Sequence, residues 1–190
     1  MSLLKERSTQ PKQVDKLYTS EELEQMPSDD RYELIRGELC AMPNNSAEHG
    51  NKTARLSGPV IVFVYANNLG ECFAAETRFV VEQNPDTTLG PDFAFISKAR
   101  LSGIPPKGYL RLAPDLIIET RSPGDTKREF SYKVSLWLHA GAKEVWALDP
   151  ATKTLTVHRE GVVKTFTVED TLTSEVVLPG FSISMRSIFG

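Results

Sequence analysis

Residues 115 to 149 show the pattern strand, helix, strand, and this order leaves few architectures open to the chain. DLIIETRS is a short run rich in apolar and β-branched residues, which is typical of a buried central strand. TKREFSYKVSLWLHA has helical spacing, with Asp125 as the expected N-cap and Gly141 where a helix commonly ends. KEVWALD is the next strand. The pattern predicts a crossover helix that joins two strands of a mixed sheet.

Caps, apolar spacing and turn residues predict further elements on both sides of this unit. They are a short helix TSEELEQM with a Thr19–Glu22 capping box, a hairpin RYELIRGELCAM turning at Arg36-Gly37, a helix from Ala47 to about Asn68 kinked at Pro59, strands ECFAAETRFVVEQ and PDFAFIS separated by the turn-rich NPDTTLG, and an antiparallel pair TLTVHRE and VVKTFTV. Together they predict an α/β (α+β) fold, in which a central mixed β-sheet is flanked by two principal helices.

Length and composition predict one cytoplasmic domain. The 190 residues suit a single core. We expect residues 1–17 to form a flexible arm, because they lack an apolar period, and residues 18–190 to form the domain. No apolar run approaches the roughly 18 residues of a membrane span, and no secretory signal is evident. Cys40 and Cys72 are too few for a disulfide framework, so we expect reduced, buried thiols.

The net charge of -3 restricts the possible partners only weakly. A protein that coats nucleic acid non-specifically normally has an excess of Lys and Arg, so that class is disfavoured. A nuclease is not excluded, because a site that collects carboxylates for a metal is itself acidic and phosphate contacts need only a local basic rim.

Two carboxylates in apolar segments are candidates for chemistry. Asp92 opens the strand of GPDFAFIS, where an isolated Asp is more often a turn residue. Glu119 lies inside the buried strand, and a buried carboxylate needs a cation, either a metal or a basic neighbour such as Arg121 or a nearby lysine. Asp115 shares its face, but four residues along a strand span roughly 13 Å, too far for the two carboxylates to share one ion. We interpret Asp115 as a strand-start residue.

Lys133 is the third candidate. At 100° per residue it falls on the apolar face of its helix, beside Phe130 and Trp137. The alternative is that its aliphatic stem packs while the ammonium reaches water past the sheet edge. Lys127 lies near the same arc but in the first helical turn, so it is the weaker candidate.

Several segments resemble the Uma-two family, a bacterial branch of the PD-(D/E)XK nuclease superfamily. They are YELIRGEL, MPNNSAEHG, GPDFAFIS, APDLIIETRSPGD and KREFSYKVSLWLHAGAKEVWALDP, within residues 18–189. The resemblance implies a restriction-endonuclease-like core and a site with an Asp on one strand and a Glu on the next, here Asp92 and Glu119. The superfamily's lysine usually lies two residues after the Glu. Arg121 stands there in this chain, and the helical Lys133 matches the family's lysine instead.

The resemblance implies a metal-dependent endonuclease that hydrolyses phosphodiester bonds in DNA, without an organic cofactor. Asp92 and Glu119 would hold Mg²⁺ or Mn²⁺, and Lys133, either alone or together with Arg121, would orient the attacking water or stabilise charge on the phosphate. Arg121 would share a face with Glu119, so it either supplies the lysine's charge or neutralises Glu119 and spoils metal binding. A homodimer is expected, because nucleases of this superfamily commonly cut both strands as pairs.

A second hypothesis is a catalytically inactive binding or assembly module that keeps the nuclease fold but not the metal. In that case Arg121 and Lys133 only neutralise the acids. Leu89-Gly90 also departs from the family, since relatives often have a basic residue before the PD dipeptide. Glu38 and His49 lie in motif segments and are minor candidates, whereas carboxylates of the hairpin, Glu33 included, are more often solvated.

Overall fold

The fold was determined as a computed structural model that describes residues 16–27, 31–42 and 45–190. Residues 1–15 of the predicted arm therefore lie outside the described residues, and the division into an arm and one domain stays a prediction. The helices are α1 (Ser20–Glu24), α2 (Ala47–Ala66), α3 (Lys127–His139) and α4 (Met185–Phe189), with a 3₁₀ turn at Lys98–Arg100. The strands are β1 (Tyr32–Ile35), β2 (Glu38–Ala41), β3 (Gly70–Ala74), β4 (Phe79–Glu82), β5 (Thr87–Leu89), β6 (Phe93–Ser97), β7 (Leu116–Thr120), β8 (Glu144–Asp149), β9 (Thr154–Arg159), β10 (Val162–Phe166), β11 (Thr171–Ser174) and β12 (Phe181–Ser184).

The central sheet has six strands in the order β10-β9-β8-β7-β6-β3. Strands β7 and β8 are parallel and are joined by α3, whereas the other neighbours in this sheet are antiparallel. All five residues of β7 are buried. The predicted mixed sheet with a crossover helix is therefore confirmed.

Helices cover both faces of this sheet, and the alternation of side chains along β7 assigns each face to one helix. Leu116 and Ile118 belong to the core that includes α2, β11, β12 and α4. Ile117 belongs to the core that includes α3. Because successive side chains of a strand point to opposite faces, Glu119 falls on the face covered by α3.

A second sheet of four strands has the order β2-β1-β5-β4. The predicted hairpin is present, and Arg36 and Gly37 at its turn have φ of 50° and 82°. The prediction that the turn-rich NPDTTLG only separates two strand segments missed a strand. Its Thr87–Leu89 part forms β5, which pairs with both β1 and β4. Thr favours strands, and β5 is completed by pairing partners on both sides, which local sequence does not show. The turn residues of the segment therefore dominated the prediction.

The start of α3 also differs from the expectation. Thr126, not Asp125, is the N-cap, and it forms a capping box with Glu129. Asp125 instead accepts a hydrogen bond from the backbone N–H of Ser122 at 2.8 Å. Both residues are good caps, so the Glu three positions after Thr126 was the deciding signal.

Two further observations concern the periphery. Cys40 and Cys72 are free thiols as expected, but they are half-buried, not buried, because both lie on the outermost strands β2 and β3 of their sheets. Burial raises the pKa of Cys72 to about 12, so its thiol is protonated at neutral pH. Among the described residues, no helix combines the length and apolar character that crossing a membrane requires.

Trp137 anchors α3 to the sheet, and its truncation tests that packing. The side chain is fully buried and meets Phe79 edge-on at 6.1 Å between ring centroids. Trp137→Ala should lower the free energy of unfolding by about 3 to 5 kcal/mol in urea titrations. Phe130→Ala should cost less, because Phe130 is only half-buried, and Tyr132→Ala, at 46% exposure, should cost under about 0.5 kcal/mol. Similar costs for Trp137 and Tyr132 would contradict this placement of the helix.

Candidate functional site

A cavity of about 690 Å³ lies where the hairpin β1–β2, the start of α2, the start of β6, the end of β7 and α3 meet. It is lined by Glu33, Ile35, Arg36, Glu38, Cys40, Ala41, Met42, Asn45, His49, Gly90, Asp92, Glu119, Thr120, Ser122, Gly124, Asp125, Glu129, Phe130, Tyr132 and Lys133. Asp92, Glu119 and Lys133, which are distant in sequence, are therefore brought to one cavity.

The pairing of β6 with β7 explains why the two carboxylates meet. These antiparallel strands pair Phe93 with Ile118 at the end of their ladder. One step further along the same register, Asp92 stands opposite Glu119. Residues directly opposite on antiparallel strands point to the same face, with Cβ atoms about 4.5 to 5.5 Å apart. The sheet itself thus places both carboxyl groups on the side of the cavity.

Asp92 is contacted at one of its oxygens by a backbone N–H and by an imidazole nitrogen. Oδ2 accepts the backbone N–H of Thr120 at 2.7 Å, and His49 Nε2 lies 3.1 Å from the same oxygen. His49 is 4% exposed and stands in the first turn of α2, where its backbone N–H donates to the cap residue Ser46. His49, a minor candidate from the sequence, therefore contacts Asp92, the candidate metal ligand, directly.

Glu119 is buried and is also held through one oxygen. Oε1 accepts the indole N–H of Trp137 at 2.7 Å and lies 3.2 Å from Lys133 Nζ. Burial raises the pKa of Glu119 to about 8, and although the ammonium of Lys133 acts against this rise, the charges of Asp92 and Glu33 add to it. The carboxyl group is therefore ready to exchange its proton for a cation near neutral pH.

Lys133 reaches the cavity from α3. Its Nζ lies 2.9 Å from Glu33 Oε1, 3.2 Å from Glu119 Oε1 and 3.3 Å from the backbone oxygen of Gly90. Burial alone would lower the pKa of Lys133, but the negative charges of Glu119 and Glu33 raise it above its ordinary value. The side chain is therefore a charged ammonium that points to carboxylates, and not one that escapes to water past the sheet edge.

Glu33 is the site residue that the sequence reasoning missed. It was expected to be solvated, as hairpin carboxylates usually are, yet it is 7% exposed. The hairpin is paired to β5 through β1, so β1 is an inner strand, and Glu33 faces Lys133. The sequence signal that could have identified Glu33 was its place in the motif segment YELIRGEL. Strand alternation showed only that Glu33 and Leu34 lie on opposite faces, and not that both faces are buried.

Arg121 was expected to lie beside Glu119, but it is not part of the site. Its Nη1 lies 2.7 Å from Asp149 Oδ2, and its Nε donates to the backbone oxygen of Asp125 at 3.3 Å. Strand β7 ends at Thr120, so the period-two argument that placed Arg121 beside Glu119 does not extend to it. Arg121 is absent from the cavity lining. Glu38, the other minor candidate, lines the cavity but is exposed.

Asp115 stands apart from the cavity, as the sequence indicated. It is buried at the start of β7, and its Oδ1 lies 3.1 Å from Arg100 Nη1 and 2.8 Å from Lys143 Nζ. Its oxygen Oδ2 accepts the backbone N–H of Ser97 at 2.7 Å. These cations satisfy the buried charge, and Asp115 connects β6, β7 and β8.

The donor set suits a hard divalent cation. The contacts described above engage Oδ2 of Asp92 and Oε1 of Glu119, which leaves Oδ1 and Oε2 for a further partner. Among the described residues, no group of three or more His, Cys, Asp or Glu side chains is arranged to hold a metal. Mg²⁺ commonly needs only one or two carboxylates and completes its octahedron with water and substrate phosphate. Two carboxylate oxygens beside an open cavity fit that mode of binding.

The burial of Glu119 predicts a direction for the dependence of stability on pH. Its pKa rises from an ordinary 4.5 to about 8 on folding, so between these values the folded chain holds a proton that the unfolded chain has released. The free energy of unfolding should therefore fall as pH rises through this window. Glu119→Gln should remove that part of the fall. Urea unfolding of both proteins in EDTA, across that range, measures it, and an identical pH dependence would contradict it.

Comparison with known proteins places this geometry in a family. No curated protein matches the chain. A crystal structure described as "a putative nuclease belonging to DUF820" from Anabaena variabilis is similar, with a TM-score of 0.77 and 19% identity, over 90% of this chain and 97% of that one. At that identity the likeness shows the fold alone. The profile of the Uma2 family, described as "Putative restriction endonuclease", matches residues 20–186. The chain therefore belongs to the Uma2 family, the same Uma-two family that its motifs resemble.

Proposed function

We propose that the protein is a metal-dependent endonuclease that hydrolyses phosphodiester bonds in DNA. The observation on which the proposal depends is that Asp92, Glu119 and Lys133, from three different elements, line one cavity. The family description names a restriction endonuclease, and the similar crystal structure is described as a nuclease, which supports a hydrolase that acts on nucleic acid.

In this proposal Asp92 and Glu119 hold Mg²⁺ or Mn²⁺, hard ions that prefer carboxylate oxygen. Such an ion lowers the pKa of water and offsets negative charge on the scissile phosphate. His49 and the N–H of Thr120 fix Asp92, and Trp137 fixes Glu119, so the remaining oxygens Oδ1 and Oε2 are pre-oriented. Lys133 stays charged and donates to a phosphate oxygen or to the attacking water.

The rival proposal is a binding or assembly module without catalysis. One observation favours it: Lys133 already lies within 3.2 Å of Glu119 and 2.9 Å of Glu33, so the acids have a cation before any metal arrives. The two proposals differ in whether the purified chain binds Mn²⁺, which titration calorimetry measures directly. Heat from a saturable site supports the enzyme, and its absence supports the module.

Substitutions that keep size but remove charge test the proposed ligands. Asp92→Asn and Glu119→Gln should each abolish Mn²⁺ binding in calorimetry while largely keeping the fold, because a neutral amide is a poor ligand for a hard cation. Lys133→Met should bind Mn²⁺ at least as tightly as wild type. It should nevertheless cleave DNA at least about tenfold more slowly, because charge in the transition state loses its partner.

Lys127→Met is the matched control for the lysine. Lys127 stands on the same helix, is exposed and does not line the cavity, so its loss should leave cleavage unchanged. Equal cleavage by wild type, the two carboxylate variants and Lys133→Met would assign the activity to a contaminant and favour the binding module.

We also propose that the protein acts as a homodimer. Two copies of the site are needed to cut both strands of a duplex in one encounter, and the superfamily commonly works in pairs. Sedimentation velocity at micromolar concentration should show a dimer near twice the mass of the 21.1 kDa chain. A single monomeric species over that range, with and without duplex DNA, would refute this proposal.

A further inference from the structure

Glu33 connects the four-stranded sheet to two parts of the candidate site. Its Oε1 accepts the backbone N–H of Gly90 at 2.9 Å and lies 2.9 Å from Lys133 Nζ. The backbone oxygen of Gly90 in turn accepts a hydrogen bond from Lys133 at 3.3 Å. Gly90 precedes Asp92 by two residues. One buried carboxylate oxygen thus fixes both the lysine and the segment of chain that leads into Asp92.

Gly90 permits this close arrangement. A Cβ atom at this position would lie 2.5 Å from Nη1 of Arg78, well inside contact distance. The side chain of Arg78 therefore packs directly against the backbone that Glu33 and Lys133 hold.

Lys133 is shared between two carboxylates, and the sharing is uneven. Its Nζ is 2.9 Å from Glu33 and 3.2 Å from Glu119. One ammonium faces two carboxyl groups, so whenever Glu119 is ionised its charge is only partly compensated. If Glu119 were the sole partner, the pair would be neutral, and a divalent ion would have to compete with the full attraction of the ammonium.

We propose that Glu33 is a positioning residue, which keeps the Lys133 ammonium beside Glu119 without allowing it to neutralise that carboxylate. The inference rests on the proposed function, because the divalent ion binds the ionised Glu119 carboxylate, whose charge the shared Lys133 does not fully compensate. Glu33 acts through Lys133 and is not itself a ligand in this proposal.

The indole of Trp137 gives a readout that needs no metal, because its N–H donates to the same Oε1 of Glu119 that Lys133 approaches. The chain has two tryptophans, and the other, Trp146, donates its indole N–H to Glu144. In ¹H–¹⁵N spectra of the full chain in EDTA, Glu33→Gln should move the Trp137 indole resonance, since the released ammonium draws closer to Glu119. The Trp146 resonance should stay in place, which also shows that the variant is folded.

A second background shows whether this effect passes through Lys133. In Lys133→Met, the further change Glu33→Gln should move the Trp137 resonance by less than about a third of its shift in the wild-type background, because coupled residues are non-additive. Equal shifts in the two backgrounds, or no shift in either, would overturn the inference.

Mn²⁺ calorimetry then tests whether Glu33 affects the metal binding of the proposed function. Glu33→Gln should bind Mn²⁺ at least about fivefold more weakly than wild type, a coupling of ordinary size for neighbouring charges, and the double variant with Lys133→Met should regain wild-type affinity. Glu71→Gln, an exposed strand carboxylate outside the cavity, is the control and should bind as wild type does.

The outcomes separate the two proposals. If the double variant binds Mn²⁺ as weakly as Glu33→Gln alone, Glu33 does not act through Lys133, and the inference is wrong. If wild type binds no Mn²⁺, the proposed function fails, while the indole spectra still decide whether Glu33 positions Lys133.

Discussion

The buried carboxyl group of Glu119 is the constraint on which the arrangement of this protein depends. A carboxylate in the middle strand of a closed core is costly unless cations and donors surround it. Helix α3 supplies both, an ammonium from Lys133 and an indole N–H from Trp137. The crossover that joins β7 to β8 therefore does more than connect parallel strands, because it places Lys133 and Trp137 against the carboxyl group that the strand buries.

The two sheets have different parts in this arrangement. The six-stranded sheet fixes the relation of Asp92 to Glu119 through the backbone pairing of β6 with β7. The four-stranded sheet contributes Glu33 and the hairpin wall of the cavity. Helix α2 adds His49 from its first turn. The site is thus assembled from segments between residues 33 and 133, and no local stretch of sequence contains it.

Much of the fold could be predicted from the sequence, because apolar period, caps and glycines are local signals. The crossover unit, the hairpin and α2 follow from such signals, whereas β5 depends on strands on either side of it, which local sequence does not show. For the site, a buried strand and an apolar helix face were enough to single out Glu119 and Lys133. Arg121 was misplaced because the strand ends one residue earlier, and Glu33 was missed because its burial comes from the second sheet.

The spacing of Lys133 and Trp137 on α3 has a consequence for the shape of the site. Residues four apart on a helix are neighbours on one face, about 5 to 6 Å between Cβ atoms. Both side chains contact the same oxygen of Glu119, so the spacing of the two contacts is set by one turn of the helix. The other oxygen, Oε2, takes no part in these two contacts. Any sliding of α3 along the sheet would move the Lys133 ammonium and the Trp137 indole together. The orientation of the Glu119 carboxyl group would therefore follow the position of the helix.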